Sequence, residues 1–137
     1  EVGAPASVVA AVTAEPARTV HKLLDYNPSR AQPFRYHAGN RLPYDMVIVD
    51  EASMLSSSLM YHLLTALADD AEVILVGDPD QLASVDAGTV LGDIAGFRSE
   101  RYKKHPLHNK IAELTTVHRA KDAPGIKALA ESIRAGD

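Results

Sequence analysis

Met46-Val47-Ile48-Val49, followed by Asp50-Glu51, and Val73-Ile74-Leu75-Val76, followed by Gly77-Asp78-Pro79-Asp80-Gln81, decide the fold of this chain. Each run consists of four uninterrupted apolar residues, most of them β-branched. Such runs are typical of strands that are buried on both faces of a parallel sheet. The sequence therefore predicts two parallel core strands, over residues 46–49 and 73–76.

A helical pattern lies between the two runs. Leucines recur every four residues, with two further apolar residues beside them: Leu55, Leu59, Leu63 and Leu67, with Met60 and Leu64. This spacing places the side chains on one face of a helix, which we predict over about residues 53–68. A strand, a helix and a second strand joined in this way form a βαβ unit. The predicted fold class is therefore α/β, with a parallel sheet flanked by helices.

Polar residues follow both predicted strands. Asp50 and Glu51 follow the first strand, and Asp78 and Gln81 follow the second. Ligands of open α/β sheets bind beyond the carboxyl ends of the strands. An apolar strand that ends in Asp-Glu is typical of ATP-hydrolysing enzymes, in which the Asp helps to hold Mg²⁺ and a neighbouring carboxylate activates the attacking water. The structural alternative is that both acids only stabilise the N-terminus of the following helix, with Ser53 as its N-cap.

These motifs resemble those of superfamily-one DNA helicases. The likeness is carried by Val49-Asp50-Glu51-Ala52-Ser53-Met54 and by Val76-Gly77-Asp78-Pro79-Asp80-Gln81-Leu82-Ala83-Ser84-Val85, and it extends from Ala17 to Asp137. It is greatest to the RecD-like helicases, the group of the exodeoxyribonuclease V alpha subunit. The resemblance implies part of a P-loop (RecA-like) helicase core that uses ATP and Mg²⁺. It also implies 5′-to-3′ movement along single-stranded DNA and duplex unwinding in recombination and repair, with other subunits of an exonuclease V complex as candidate partners.

The resemblance implies roles for individual residues around the ATP site. Asp50 would hold Mg²⁺ together with ATP, and Glu51 would be the catalytic base. Gln81 would contact the γ-phosphate and couple its loss to movement along DNA. Arg119 aligns with the arginine that reaches into the ATP cleft from its far side. The alternative for Arg119 is a surface side chain that follows a strand.

A candidate DNA contact lies near the start of the chain. Thr19-Val20-His21 matches the helicase element that lies beside the tracked single strand. Thr19 is also suited to cap an ordinary helix that carries Val20, Leu23 and Leu24 on its apolar face, with His21 on the polar face. Both interpretations stay open, since Thr-x-His alone is a weak motif.

The sequence contains no Gly-x-x-x-x-Gly-Lys-Ser/Thr loop. In the resembled family that phosphate-binding loop lies upstream, so we expect the chain to be a middle piece of a longer helicase. Residues 1–110 would belong to the first core domain. Residues 111–137 would provide a return strand, over Ile111 to Val117, and the start of the segment that leads to the second core domain. Without amides and a lysine to cradle the phosphates, the chain alone is expected to be inactive towards ATP.

Two other segments are open to more than one interpretation. Phe34-Arg35-Tyr36-His37 could pair with Arg41-Leu42 as a hairpin, either to stack on bases or to cover a sheet edge. Residues 98–110 carry five basic residues and one acid: Arg98, Arg101, Lys103, Lys104 and Lys110, with Glu100. They could contact phosphates or form a solvated loop. Between these segments, Asp86 is a candidate cap of a helix through Val90, Leu91 and Ile94.

Composition limits the class of protein. Hydrophobic residues make up 46% of the chain and charged residues 23%, as in globular domains, and no apolar run could span a bilayer. The absence of cysteine and of a secretory signal fits a cytoplasmic protein. A net charge of −4 excludes binding of nucleic acid by bulk electrostatics, so any DNA contact must be local.

Two alternatives to a helicase belong to other classes. Asp50, Glu51, Asp78 and Asp80 could bind two Mg²⁺ ions as in a nuclease, although Gln81 would then have no role. A helicase-like interaction module without catalysis is the second alternative. The set of Asp50, Glu51, Gln81 and Arg119 counts against it, since a module released from catalysis has no need of these side chains.

Overall fold

A βαβ unit, as predicted, forms the centre of the computed structural model, which describes residues 5–7, 9–10, 16–81 and 90–114 together with residues 125 and 132. The described elements are helix α1 (Val20–Leu23), strand β1 (Met46–Val49), a 3₁₀ turn (Ala52–Met54), helix α2 (Ser57–Ala66), strand β2 (Glu72–Leu75), helix α3 (Val90–Gly96) and two more 3₁₀ turns (Glu100–Tyr102 and His108–Lys110). Within this described part, no helix has the length and apolar character to cross a membrane.

Strands β1 and β2 are parallel, as the sequence predicts. Their register runs from Met46 opposite Glu72 to Val49 opposite Leu75. Strand β1 has the predicted bounds, whereas β2 begins and ends one residue before the predicted run. The shift follows from the pairing at the amino end of the sheet, where the Glu72 amide donates to the Asp45 carbonyl oxygen at 2.8 Å.

Helix α2 begins later than predicted. It spans Ser57–Ala66, and its N-cap is Ser56, whose hydroxyl accepts from the Leu59 amide at 3.3 Å. The alternative interpretation with Ser53 as the N-cap is therefore wrong. Ser53 lies in the preceding 3₁₀ turn, because the chain leaves β1 through a left-handed residue at Glu51 and must turn once before the helix can start.

The core lies between α2 and one face of β1. The buried residues that form it are Leu24, Phe34, Leu42, Val47, Val49, Ala52, Leu63, Ala66 and Leu67. On the opposite face of β1, Met46 and Ile48 are 46% and 47% exposed. The prediction that β1 is buried on both faces is therefore wrong. The described residues cover only the face that carries Val47 and Val49. Leu64, predicted on the apolar face of the helix, is 44% exposed.

Local contacts hold the segment that precedes β1, from Thr19 to Asn40. Thr19 caps α1 by accepting from the Lys22 amide at 3.3 Å. Phe34 packs against the ring of His62 on α2, with 4.3 Å between centroids, and belongs to the same buried cluster as Val47 and Val49 of β1. The predicted hairpin is reduced to one bridge, in which His37 and Asn40 exchange backbone hydrogen bonds of 3.0 and 2.9 Å.

Arg41 joins this loop to the end of α2. Its guanidinium donates to the carbonyl oxygens of Thr65, at 2.8 Å, and of Leu67. These acceptors belong to the last turn of the helix, where carbonyl groups lack partners within the helix. The side chain therefore fixes the carboxyl end of α2 just ahead of β2.

The chain forms two compact units, Glu1–Gly96 and Phe97–Asp137. The domain boundary predicted after Lys110 stays a prediction. Helix α3, which ends the first unit, confirms the predicted helix over its described part; residues 82–89, with the predicted cap at Asp86, lie outside the described residues. Of the strand predicted from Ile111 to Val117, residues 111–114 are not in a strand, and residues 115–117 lie outside the described residues.

Candidate functional site

The carboxyl ends of β1 and β2 are joined by backbone hydrogen bonds. The Val76 amide donates to the Val49 carbonyl oxygen at 2.8 Å, and the Ala52 amide donates back to the Val76 carbonyl oxygen, also at 2.8 Å. The residues that follow the two strands therefore share one edge of the sheet, where open α/β sheets bind their ligands. Asp50 and Glu51 follow β1 at this edge, and the turn that ends at Gln81 follows β2.

Glu51 has an unusual backbone conformation. Its φ of 52° and ψ of 39° lie in the left-handed region. A residue other than glycine costs roughly 1–2 kcal/mol there, and such residues concentrate at functional sites. The Glu51 amide donates to Asp50 Oδ1 at 2.9 Å, which fixes the orientation of the Asp50 carboxylate. Both side chains are exposed. The sequence gives no signal for this conformation, because glutamate is not among the residues that favour it.

The turn after β2 is organised by Asp78. Its Oδ1 accepts from the Asp80 amide at 3.0 Å, and its carbonyl oxygen accepts from the Gln81 amide at 3.2 Å. An Asp side chain that bonds the backbone two residues on is typical of tight turns. This role of Asp78 was not predicted from the sequence, although an Asp-Pro-Asp pattern is typical of such turns. The Gln81 side chain is exposed and makes no hydrogen bond within the described residues, so its amide is available to a ligand.

Gly77 lets the end of β2 approach the turn after β1. A Cβ atom at Gly77 would lie 2.8 Å from Leu91 Cδ2 and 3.1 Å from the amide nitrogens of both Ala52 and Ser53. Ser53 is 8% exposed, and its hydroxyl has no hydrogen-bond partner within the described residues. The close packing of the two strand ends thus requires glycine at position 77, and this requirement was not predicted from the sequence.

Substitution of Gly77 by alanine is expected to destabilise the protein by about 1–3 kcal/mol, because the added methyl group meets backbone atoms that cannot move aside. Gly96→Ala is the matched control, since a Cβ atom at Gly96 has no neighbour within 4 Å. Urea denaturation of both variants and the wild-type chain measures the difference. Equal free energies of unfolding for the two variants would show that the close approach at Gly77 is relieved without strain.

The arrangement of acids fits one metal ion carried by ATP better than a dedicated metal cluster. Among the described residues, no three His, Asp or Glu side chains are grouped so that they could hold a metal ion. Mg²⁺ that arrives with ATP needs one or two carboxylates, because phosphate oxygens and water complete its shell. A contact of Asp50 with such an ion stays a prediction. A two-metal nuclease needs several acids around its ions, and the described residues do not provide them.

Of the other predicted site residues, Thr19 and His21 belong to the described part of the chain, whereas Arg119 does not. Thr19 uses its hydroxyl to cap α1, as the structural alternative for this motif requires. His21 is exposed, and its ring meets that of Tyr26 edge to face at 5.2 Å between centroids. A DNA contact by Thr19 and His21 stays a prediction. Arg119 lies outside the described residues.

Comparison with known protein families decides the family of the chain. The AAA domain family matches residues 2–137. The chain belongs to this family. The parallel β1–β2 pair and its flanking helices agree with the α/β fold that the sequence predicts.

This AAA domain is similar in sequence to two RecBCD enzyme subunits and to one DNA helicase. It is 46% identical over 121 residues to RecBCD enzyme subunit RecD of Mycolicibacterium smegmatis, which covers 88% of the chain and 20% of that protein. It is 34% identical over 140 residues to RecBCD enzyme subunit RecD of Haemophilus influenzae, covering 88% and 22%. It is 51% identical over 80 residues to the ATP-dependent RecD2 DNA helicase of Deinococcus radiodurans, covering 58% and 11%. The chain thus spans a small part of each relative, and the predicted resemblance to RecD-like helicases is confirmed.

Proposed function

We propose that this AAA domain is part of an ATP-dependent DNA helicase that acts in recombination and repair. The observation that carries the proposal is the Asp50-Glu51 pair at the carboxyl end of β1, with Glu51 in a left-handed conformation, beside the turn that presents Gln81. A RecBCD enzyme subunit and an ATP-dependent DNA helicase among the relatives support the choice of ATP and DNA as ligands.

Asp50 would contact the metal ion. Its Oδ1 accepts the Glu51 amide, while Oδ2 has no hydrogen bond within the described residues and is available to Mg²⁺ or to a water in its shell. A bound Mg²⁺ would neutralise charge on the β- and γ-phosphates. Glu51 would take the proton of the attacking water. Its exposed side chain projects from a backbone that the Ala52–Val76 hydrogen bond and the close approach at Gly77 hold in place.

Gln81 and Arg119 would link hydrolysis to movement. Gln81 would contact the γ-phosphate, and the Asp78-centred turn would transmit loss of that contact to the end of β2. Arg119 would neutralise charge in the transition state from the far side of the cleft, a contribution of about 10³ to 10⁵ in rate when such an arginine is positioned. Thr19 and His21 would lie beside the single strand.

The partners of the whole protein follow from the same proposal. They are single-stranded and duplex DNA, together with other subunits where the protein is part of a RecBCD-like complex. Movement along the single strand would be 5′-to-3′. A cytoplasmic location follows from these partners.

ATP hydrolysis by the full-length protein that contains this chain tests the proposal. Turnover is expected to rise when single-stranded DNA is added. A protein that binds DNA and nucleotide but never hydrolyses ATP would favour the non-catalytic interaction module, and cleavage of DNA by Mg²⁺ without ATP would favour the nuclease.

Gln81→Ala in the full-length protein is expected to uncouple the two activities. Loss of the γ-phosphate contact should lower the rate of duplex unwinding by more than it lowers DNA-stimulated ATP hydrolysis, because the acid pair that performs the chemistry is untouched. Both rates are measured on the same preparation. Equal fractional losses would make Gln81 a residue that only binds nucleotide.

A further inference from the structure

Residues 97–108 are organised around Phe97. The ring of His105 stacks on Phe97, with 4.0 Å between centroids and an interplanar angle of 11°. Tyr102 meets the same ring edge to face at 5.0 Å. Nδ1 of His108 lies 3.0 Å from the Phe97 carbonyl oxygen. A segment that could have been a solvated loop is therefore held by an aromatic cluster.

Glu100–Tyr102 is a 3₁₀ turn, and hydrogen-bonded turns of the same i to i+3 type extend on either side of it, from Ser99 to His105. The amides of Tyr102, Lys103 and His105 donate to carbonyl oxygens three residues earlier, at 2.8, 3.1 and 2.7 Å. A 3₁₀ helix has three residues per turn, so side chains at positions i and i+3 eclipse and form three ridges. Tyr102 and His105 form the ridge that packs on Phe97.

The other two ridges differ in charge balance. Glu100 and Lys103 form one of them and pair at 3.3 Å. Arg101 and Lys104 form the other, and both side chains are exposed. Arg98 pairs with Glu113, whereas neither Arg101 nor Lys104 has an ion pair within the described residues. The Arg101–Lys104 ridge therefore places two cations on one side of the turn, and no carboxylate among the described residues neutralises either of them.

Arg101 is also held in place. Its guanidinium carbon lies 4.8 Å from the centroid of the Tyr102 ring, at the distance of a cation–π contact. A guanidinium that is already positioned loses less conformational freedom when it binds a phosphate. Because Tyr102 is fixed by Phe97, the contact ties Arg101 to the aromatic cluster.

We propose that the Arg101–Lys104 ridge binds the sugar–phosphate backbone of DNA, independently of base sequence. DNA as the partner rests on the proposed function, whereas the contact itself needs no ATP. An acidic protein partner fits less well, because protein interfaces have an apolar centre, and the aromatic side chains here pack on Phe97. The net charge of −4 requires any DNA contact to be local, and a two-cation ridge meets that requirement.

Salt dependence of DNA binding tests the ridge. The whole chain is titrated without nucleotide into a fluorescent single strand and, separately, into a duplex, at salt concentrations from about 50 to 200 mM. In R101Q/K104Q, the slope of log K against log salt is expected to fall by about 1.4 on single-stranded DNA or about 1.8 on duplex, because two phosphate contacts are lost. At about 0.1 M salt, relative to about 1 M salt where the electrostatic contribution vanishes, this corresponds to roughly 25-fold weaker binding of single-stranded DNA and roughly 60-fold weaker binding of duplex.

R98Q/K103Q is the matched control. It removes the same formal charge from the same segment, at cations that already face carboxylates. Its slope is expected to stay near the wild-type value. R101K/K104R keeps both charges and should retain the wild-type slope, which separates loss of charge from loss of shape. Circular dichroism of all variants checks that the fold is unchanged.

Equal slope changes in R101Q/K104Q and R98Q/K103Q would overturn the proposal, since they would show an effect of net charge alone. Absence of DNA binding by the wild-type chain would overturn it as well. A full-length protein without ATP hydrolysis, but with the expected loss of slope in R101Q/K104Q, would refute the helicase and leave the ridge as a DNA contact.

Discussion

Glu51→Gln in the full-length protein is expected to lower kcat for ATP hydrolysis by about 10²- to 10⁴-fold, the usual contribution of a general base. Nucleotide binding should be largely retained. Glutamine keeps the shape of the side chain and can keep the hydrogen bond from its backbone amide to Asp50 Oδ1, and Asp50, the proposed metal contact, is unchanged. The substitution therefore removes the proton acceptor and little else.

Steady-state hydrolysis gives kcat, and calorimetric titration with Mg-ATP gives the affinity. Glu72→Gln is the matched control, because Glu72 is an exposed glutamate at the opposite end of the same sheet, where β2 begins. It should leave both quantities near wild type. Hydrolysis that survives in Glu51→Gln while binding is lost would reverse the assignment and make Glu51 a ligand of the nucleotide or its metal ion.

Leu63→Ala is expected to lower the free energy of unfolding of the chain by about 2–5 kcal/mol, the range for a leucine deleted from a packed core. Leu63 is 0% exposed and belongs to the cluster that joins α2 to β1. Much of the stability of a domain of this size can be lost through one such cavity. The positioning of Asp50 and Glu51 depends on the same core.

Leu64→Ala is the natural control, since the neighbouring leucine on the same helix is 44% exposed. Substitutions at such positions usually change stability by about 0.5 kcal/mol or less. Urea denaturation followed by circular dichroism measures both variants. If Leu64→Ala were the more destabilising change, the face of α2 that packs against the sheet would have been assigned incorrectly.

The strands could be predicted from sequence because their signal is local. Uninterrupted β-branched runs bounded by acids and glycine give β1 with the correct bounds and β2 with an error of one residue. The burial of β1 could not be predicted in the same way. Ile48 and Val47 have the same hydrophobic character, and only the position of α2 decides which of them is covered.

The start of α2 shows a different limit. Ser53 and Ser56 are both good N-cap residues by type, so the sequence alone could not distinguish them. Their roles are set by the hydrogen bond from the Ala52 amide to the Val76 carbonyl oxygen, a contact between residues far apart in sequence. It holds Ala52–Met54 as a 3₁₀ turn and leaves Ser56 as the first residue able to cap the helix.

The candidate site was predictable as chemistry but not as conformation. The residue types at positions 50, 51, 78 and 81 predict an acid pair and two further polar side chains beyond the carboxyl ends of neighbouring strands. The left-handed backbone of Glu51 and the close approach at Gly77 depend on how the two strand ends are joined. No single residue type at either position reveals them.

At position 51, the residue that would give the highest thermal stability differs from the residue proposed to serve ATP hydrolysis. Glycine or asparagine would occupy the same backbone with less strain, so directed evolution for heat resistance alone would drift away from glutamate there. Given the proposed role of Glu51 as the catalytic base, a screen that also demands ATP hydrolysis would restore glutamate. Work towards a more thermostable version of this domain should therefore keep Glu51 and introduce stabilising substitutions at other positions. A gain in stability from replacing Glu51 would be accompanied by loss of the proposed hydrolytic activity.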